Sequence, residues 1–493
     1  MLALLGGVLA TSAFGPYDFK PAAPLALALL FALLARASGW RRATLIAWLF
    51  LGAHYGSGVY WIYISTHVYG GAPAWLGFLL CVVLCTVYMA MFPVLVFALA
   101  ARWRLLQGWT GWLAAPACWT LGEMLRGHVL WSGFAWLSLG DVALDTPLQK
   151  FAPLTGVHGL SLLIALMACA LYRLAADRGR ARAAAAAVLA APCALALLLP
   201  APGGWTRDAG PPLSAAVIQP NVPQEQKWLE EMQVPILRRH LQMTHDALGA
   251  DLIVWPEVSL TQPYHVLAPY VLPDLIAQVS AAHSALIAGM VIRDDASGGY
   301  TNSVIGLGEA SGRYDKRHLV PFGEYFPIPD FMRPLLDVLG TPYSDFLFGA
   351  QEQPPLTAKG RTLGIYICFE DVFGNEFRAR ARGTALAINV TNDAWFGHSS
   401  AAAQHLAMAR LRSLETGRWT LRASNTGVSA LIGPDGSLQQ QAAFFTAETL
   451  RGQVQPREGE TPYMRWGDAP LWGLLLFATA GLLWLRRSST LEI

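Results

Sequence analysis

The sequence contains eight apolar segments, each close to the length of a membrane-spanning helix: seven fill most of the first 200 residues, and the eighth lies near the C-terminus. They cover about residues 1–14, 21–36, 43–64, 73–101, 109–126, 158–177, 182–200 and 468–485. A helix needs about 20 apolar residues to cross a bilayer. The segments therefore predict a polytopic α-helical membrane protein with about eight spans. The first segment lacks the positively charged start of a signal peptide and is counted as a span.

The composition agrees with a membrane protein and excludes several other classes. The chain has 54% hydrophobic and 14% charged residues, with a mean hydropathy of +0.38. Acidic and basic residues nearly cancel, so the net charge of +2 provides no field that would recruit nucleic acid. Apolar residues run through the whole chain, which excludes a disordered protein.

The placement of basic residues predicts the orientation of the spans, because Lys and Arg in short loops stay on the cytoplasmic side. Alternate connections hold eleven of them: Arg36, Arg41, Arg42, Arg102, Arg104, Arg173, Arg178, Arg180, Arg182, Arg486 and Arg487. The opposite connections hold five: Lys20, Arg126, Lys150, Arg207 and Arg465. We therefore expect both termini in the cytoplasm and the long segment before the last span outside it.

That long segment, from about Gly204 to Pro456, has the pattern of a soluble α/β domain. Strands are predicted at 213–220, 251–258, 285–293, 301–308, 361–370, 385–393 and 428–436, and helices at 224–248, 268–282 and 400–417. The chain thus divides into a seven-helix transmembrane region at 1–203, an extracytoplasmic domain at 204–458, and a final transmembrane helix with a cytoplasmic tail at 459–493.

Cys368 stands apart from the other cysteines of the sequence. The other five lie within apolar segments, where a thiol usually serves as a small hydrophobe. Cys368 has no disulfide partner in its domain, and it ends a predicted strand, where α/β folds often hold catalytic groups. A buried core residue is the alternative interpretation. Glu257 also ends a predicted strand, and Lys316 lies with Glu324 among aromatic residues and prolines.

Four short motifs together resemble those of the nitrilase superfamily. They are WPE at 255–257, YDKRHLVPFGEYFP at 314–327, ICFED at 367–371 and NVTNDAWFG at 389–397, and the similarity extends to IQPNVPQEQKW at 218–228. That superfamily uses a Glu, a Lys and a Cys in this chain order. Because the domain precedes the last predicted span, the full chain resembles the membrane-bound apolipoprotein N-acyltransferase family of that superfamily.

The resemblance implies a nitrilase-like α-β-β-α sandwich that faces the periplasm from a bacterial inner membrane. Its catalytic set would be Glu257, Lys316 and Cys368. Residues at further matching positions would support the catalytic site, namely Glu324, Glu370 and Phe369, or bind the substrate, namely Trp228, Tyr325, Phe326 and Trp395. Phe369 departs from the family, in which an aromatic hydroxyl is common at that position.

The implied reaction transfers a fatty acyl chain from a membrane phospholipid to the α-amino group of the diacylglyceryl cysteine of an apolipoprotein, the last step of lipoprotein maturation. Glu257 can accept the Cys368 proton, and Lys316 can stabilise the thiolate and the oxyanion. A thioester shared by two half-reactions predicts ping-pong kinetics. The expected partners are the phospholipid, the apolipoprotein and the membrane; we expect a monomer without a cofactor or a metal and without bound nucleic acid.

Two other functions stay open from the sequence. One is a membrane-anchored, nitrilase-like amidase that hydrolyses a small soluble amide, although such an enzyme would not need eight spans. The other is a transporter, which is disfavoured because the spans hold few ionisable residues. One of those residues, Glu123, lies three positions before Arg126, and this spacing favours an ion pair at a helix end.

An aromatic segment at 322–348 follows Lys316 and carries seven aromatic residues: Phe322, Tyr325, Phe326, Phe331, Tyr343, Phe346 and Phe348. Core packing of a long loop is one interpretation. Loops are normally polar, however, and long structured ones tend to be lids or binding elements. Moving a phospholipid into water costs roughly 0.8 kcal/mol for each methylene. We therefore expect this segment to rest on the outer leaflet and to flank the entrance for the acyl chain.

Overall fold

A computed structural model describes residues 1–130, 133–327, 331 and 345–490, with side chains as far as residue 484. The chain forms two compact units. The first comprises Met1–Tyr63, Trp75–Pro200 and Arg465–Ile493, and the second comprises Ile64–Ala74 and Ala201–Met464. The second unit therefore includes the short connection after the third apolar segment.

The first unit is helical, and each of the eight apolar segments contains a helix. The helices are α1 (Leu2–Thr11), α2 (Ala22–Ala35), α3 (Trp40–Gly58), α4 (Trp61–Tyr63), α5 (Ala74–Val83), α6 (Ala90–Arg102), α7 (Gly111–Arg126), α8 (Ala152–Ala176), α9 (Gly179–Ala196) and a last helix at Ala469–Thr490, with π-helical turns at Ile64–Tyr69 and Leu84–Met89. Two helical stretches, Ala74–Arg102 and Pro147–Ala176, are long and apolar enough to cross a membrane. The arrangement with eight spans stays a prediction.

The expected ion pair between Glu123 and Arg126 is wrong. Glu123 Oε1 accepts hydrogen bonds from the Trp119 indole at 2.9 Å and from the backbone amide of Leu139 at 2.8 Å. Arg126 donates instead to the backbone carbonyl oxygens of residues 134 and 136, at 2.6 Å each. Both side chains are buried, and these partners take up only part of their hydrogen-bonding capacity: among the described residues, Glu123 Oε2 and Arg126 Nε and Nη2 have no hydrogen-bond partner. The two side chains fix the segment that follows α7.

The second unit contains two large β-sheets, of six and seven strands, and a separate pair of short strands. Its strands are β1 (Arg207–Asp208), β2 (Leu213–Gln219), β3 (Leu252–Val254), β4 (Ala285–Arg293), β5 (Tyr300–Gly308), β6 (Ala310–Ser311), β7 (Arg313–Asp315), β8 (Leu356–Ala358), β9 (Arg361–Ile367), β10 (Leu386–Thr391), β11 (Thr420–Ser424), β12 (Ala430–Ile432), β13 (Leu438–Gln441), β14 (Glu448–Val454) and β15 (Arg457–Glu458). One sheet has the order β14-β2-β3-β4-β5-β7, and the other has the order β13-β12-β11-β10-β9-β8-β6. In each, the central neighbours β2-β3-β4 or β9-β10-β11 are parallel.

The two sheets share one core, and helices cover their outer faces. The helices are α10 (Gln233–Ala247), α11 (Tyr264–Leu267), α12 (Leu272–Ala281), α13 (Gly374–Ala381), α14 (Ala401–Thr416) and α15 (Pro462–Trp466). Side chains of both sheets meet between them, among them Val217, Val254, Ile287, Ile365, Ile388 and Leu421. Alternate residues of β2 point outward and pack with α10 and α12, as the two-residue period of a strand requires. Because α13 and α14 cover the second sheet, the predicted α-β-β-α sandwich is confirmed.

The seven predicted strands and three predicted helices of this unit are all present; β4 has the predicted bounds, β5 begins one residue earlier, and the others are shorter than expected. The strands that were not predicted include β11 and the sheet-edge strands β6, β13 and β14. The edge strand β14 carries three exposed polar residues, Glu448, Arg451 and Gln453, and β11 carries a buried arginine. Neither has the apolar run that identifies a buried strand in a sequence.

Candidate active site

Two of the predicted catalytic residues follow the ends of parallel strands. β3 ends at Val254, and Glu257 comes three residues later. β9 ends at Ile367, and Cys368 follows with a φ of 50°, in the left-handed region that residues other than glycine rarely adopt. This conformation turns the chain abruptly into the 3-10 turn Cys368–Val372. The cysteine is partly exposed. The thiol therefore lies at the strand end, where it packs against the edge of the core between the sheets.

The third predicted residue, Lys316, lies in a buried cluster with Glu257, Glu324 and Asn302. The Lys316 Nζ is 3.0 Å from Glu257 Oε1 and 2.9 Å from the Glu324 carboxylate. The side-chain amide of Asn302 donates to the same two carboxylates, at 2.8 and 2.9 Å. Lys316 is only 1% exposed, so water screens these ion pairs little. The ammonium group is thus held between two carboxylates, and Glu324 lies where a residue that supports Lys316 is expected.

The charges of this cluster act on the thiol. Burial alone would lower the pKa of Lys316, but the two carboxylates hold it above its ordinary value. Burial raises the pKa of the Cys368 thiol well above its ordinary value; Glu257 raises it further, whereas Lys316 lowers it. The surroundings of the thiol therefore oppose its ionisation. Transfer of its proton to Glu257 would remove one of the charges that oppose its ionisation.

Glu370 joins two loops of the site. Its Oε1 accepts hydrogen bonds from the Tyr314 hydroxyl at 2.7 Å and from the Arg317 amide at 2.9 Å. Its Oε2 accepts the Ile367 amide at 2.9 Å. The side chain is fully buried. Because 56 residues separate Glu370 from Tyr314, the sequence alone does not reveal this link. The carboxylate therefore joins the loop of Lys316 to the strand end that carries Cys368.

The predicted substrate-binding residues are all at least partly exposed. Trp228 is 55% exposed and Trp395 is 39% exposed, while Tyr325 and Phe326 are half-buried. In the part of the chain that the structure describes, no hydrogen bond or ring contact joins either tryptophan to the Lys316 cluster. Their role in binding stays a prediction. Phe369 is buried, and its ring packs edge-on against Phe373 with a centroid distance of 5.0 Å.

The aromatic segment at 322–348 is described only in part. Residues 328–330 and 332–344, which include Tyr343, lie outside the described residues. Of the rest, Phe322 is 50% exposed, Phe331 is 81% exposed and Phe348 is 55% exposed. Exposed aromatic side chains on both sides of the undescribed part agree with a segment that contacts something other than water.

Sequence reasoning missed two residues of the site, Asn302 and Lys227. Asn302 is a polar residue inside the apolar strand β5, and a buried polar side chain there requires a partner. Lys227 precedes Trp228 in the motif at 218–228, and its side chain is only 3% exposed. Its Nζ lies 3.4 Å from the backbone oxygen of Glu257. Burial lowers the pKa of Lys227 to about 8, although Glu257 opposes the shift.

Comparison with known proteins covers both units of the chain. Residues 6–170 match the apolipoprotein N-acyltransferase N-terminal domain, and residues 214–463 match the carbon-nitrogen hydrolase domain. A carbon-nitrogen hydrolase from Helicobacter pylori G27 superposes on 54% of this chain and 94% of its own, with 18% identity and a TM-score of 0.37.

Full-length relatives have one name in common. An apolipoprotein N-acyltransferase of Methylococcus capsulatus is 39% identical over 99% of this chain and 96% of its own length. Those of Chromobacterium violaceum and Pseudomonas putida are 40% and 38% identical, over 99% and 96% of this chain and 94% of each relative. Because this similarity covers nearly the whole chain, the chain belongs to the apolipoprotein N-acyltransferase family.

Proposed function

We propose that this chain transfers a fatty acyl group from a membrane phospholipid to the α-amino group of the diacylglyceryl cysteine of apolipoproteins, through a thioester on Cys368. One observation carries the proposal: a strand-end thiol lies within electrostatic reach of a buried ion pair between Lys316 and Glu257. The membership of the chain in the apolipoprotein N-acyltransferase family supports the choice of acceptor.

In the first half-reaction, the proton of the Cys368 thiol moves to the Glu257 carboxylate as the sulfur attacks the ester carbonyl carbon. Lys316 then faces a thiolate and a tetrahedral oxyanion, and its charge stabilises both. Glu257 returns the proton to the departing lysophospholipid oxygen. The C–O ester bond breaks, a C–S thioester bond remains, and the charge of the site is restored.

In the second half-reaction, the acceptor amine attacks the thioester carbonyl, and Glu257 removes a proton from the amine. The C–N amide bond forms, the C–S bond breaks, and the Cys368 thiolate recovers its proton from Glu257. Because both half-reactions use the same groups in turn, we expect ping-pong kinetics. Glu324 and Asn302 hold the ion pair in place during both steps, and Glu370 positions the two loops.

The membrane supplies the donor. We propose eight spans arranged as a transmembrane region at 1–203 and a last helix within 459–493, with both termini in the cytoplasm and the catalytic domain at 204–458 in the periplasm. The exposed residues Phe331 and Phe348 support a contact between the aromatic segment and lipid. Tyr325, Phe326, Trp228 and Trp395 would contact the acyl chains. We propose that the enzyme acts as a monomer.

Mass spectrometry of the intact protein tests the thioester directly. The detergent-solubilised full chain is incubated with phospholipid and no acceptor, and a fatty-acyl adduct is mapped to a cysteine. Cys368→Ala should abolish the adduct, whereas Cys193→Ala, at an exposed cysteine of the first unit, should retain it. An adduct that persists in Cys368→Ala would overturn the proposal.

Adding acceptor to the isolated adduct separates transferase from amidase. A diacylglyceryl-cysteine peptide should remove the acyl group from Cys368 and carry it as an amide. If water releases the fatty acid equally fast in the absence of the peptide, the chain is a hydrolase.

A further inference from the structure

Four charged residues form a buried network at the turn that carries Cys368. His405 Nε2 lies 2.8 Å from Asp371 Oδ1, and His405 Nδ1 lies 2.9 Å from Asp393 Oδ1. Arg422 lies 3.0 Å from Asp371 and 2.8 Å from Asp393. All four are at most 3% exposed, and none belongs to the proposed catalytic set. Two carboxylates and two cations leave the network neutral when the imidazole is protonated.

Thr391 connects this network to the nucleophile. In the parallel pair of β9 and β10, Val390 pairs with Ile367, so the next residues, Thr391 and Cys368, are neighbours at the strand ends. The Thr391 hydroxyl donates to Asp393 Oδ1 at 3.0 Å, and its hydrogen-bonding influence lowers the pKa of the neighbouring Cys368 thiol against the effect of burial. A hydroxyl has a single hydrogen to donate. It cannot donate to both groups at once.

We propose that the Thr391 hydroxyl turns from Asp393 to the Cys368 sulfur when the thiolate forms, and so stabilises the nucleophile. The thiol proton goes to Glu257, and the threonine keeps its own hydrogen, so no charge enters or leaves the site. Asp393 loses one donor in this movement, but His405 and Arg422 continue to donate to it. Those charged residues act through Thr391 and are positioning residues.

The charge state of the network supports this movement. Burial alone would lower the pKa of His405, but Asp371 and Asp393 raise it to about 9 against the opposing effect of Arg422. The imidazole therefore stays charged near neutral pH, and both of its nitrogens donate. Burial would raise the pKa of Asp393, but His405 and Arg422 hold it below its ordinary value. Asp393 is thus a stable anion even without the threonine.

The inference rests on the proposed role of Cys368 as the nucleophile, and a general thiol reagent tests it independently of acyl transfer. The rate constant of Cys368 with iodoacetamide is measured against pH in the full-length protein. Thr391→Val keeps the shape of the side chain and removes the hydroxyl. It should slow alkylation about tenfold near neutral pH, because a hydrogen bond to a charged group is lost, and shift the pH profile upward.

Thr391→Ser keeps the hydroxyl and is the matched control, so its pH profile should follow that of the wild type. A purely structural role for Thr391 would lower the melting temperature in Thr391→Val without moving the profile. If the valine variant does not fold, Thr391→Ala is measured in the same way. A profile of the hydroxyl-free variant that superimposes on that of the wild type overturns the inference, whether or not phospholipid still acylates Cys368.

Discussion

Removal of the buried ammonium group tests whether Lys316 serves structure, catalysis or both. Lys316→Met leaves the carboxylates of Glu257 and Glu324 facing each other without a cation, joined only by Asn302. Loss of one partner of a buried ion pair typically costs about 3 to 5 kcal/mol. At about 2 to 4 °C of melting temperature per kcal/mol, we expect the second unit to melt roughly 10 °C lower. Acyl transfer should fall to background.

A second substitution separates the two effects. Glu324→Gln in the Lys316→Met background removes one of the unpaired charges, so about half of the lost stability should return. Acyl transfer should not return, because no cation faces the thiolate. Lys359→Met is the control, since Lys359 also pairs with a carboxylate, Glu309 at 3.1 Å, but near the surface, where such pairs contribute little.

Two measurements decide between the outcomes: thermal unfolding of the full chain in detergent, and the acyl adduct on Cys368 by mass spectrometry. The like charges in Lys316→Met should raise the pKa of one carboxylate, so stability is lost as pH rises through that pKa. The deficit should therefore be smaller at pH 5 than at pH 7. An unchanged melting temperature in Lys316→Met, or activity in the double variant, would refute this reasoning.

Three further variants have distinct expected effects on stability or on acylation. Lys227→Met should stabilise the protein at pH 7 by up to roughly 3 kcal/mol, because folding lowers the pKa of this lysine from 10.5 to about 8. In unfolding scans, this gain in stability should fade as the pH rises from about 8 to 10.5. Asn302→Leu removes two hydrogen bonds to charged carboxylates, so adduct formation should slow by about tenfold or more and the melting temperature should fall. Replacing Phe331 and Phe348 with Ser should slow acylation from bilayer phospholipid far more than from a short-chain, water-soluble ester; equal slowing with both donors would exclude a membrane role for the aromatic segment.

The resemblance to the nitrilase superfamily implied the sandwich, whereas the sequence pattern alone predicted an α/β domain with central strands that are apolar on both faces. Such runs mark buried parallel strands, and β2, β4 and β10 all have them. β11 could not be found in this way, since Arg422 interrupts it. That arginine is buried only because Asp371 and Asp393 neutralise it, and these partners lie 51 and 29 residues away in the chain.

The same limit applies within the site. The positions of Glu257 and Cys368 follow from where strands end, which is a local property of the sequence. The bridging role of Asn302 depends on two carboxylates brought together from 45 and 22 residues away. The link that Glu370 makes to Tyr314 spans 56 residues. Residue types indicated the chemistry, but only the folded chain reveals which side chains hold the reacting groups in place.

The charges around the thiol form two groups. In the first, Lys316 lies between the carboxylates of Glu257 and Glu324. In the second, a histidine and an arginine balance two aspartates: His405, Arg422, Asp371 and Asp393. A proton that moves from Cys368 to Glu257 stays inside the site, so the net charge of the site does not change. Because an additional charge in a buried site is costly, a thiol of raised pKa ionises only in step with proton transfer to its own base. A thiol that resists ionisation at rest suits a domain that we propose to face the periplasm and that contains a single cysteine.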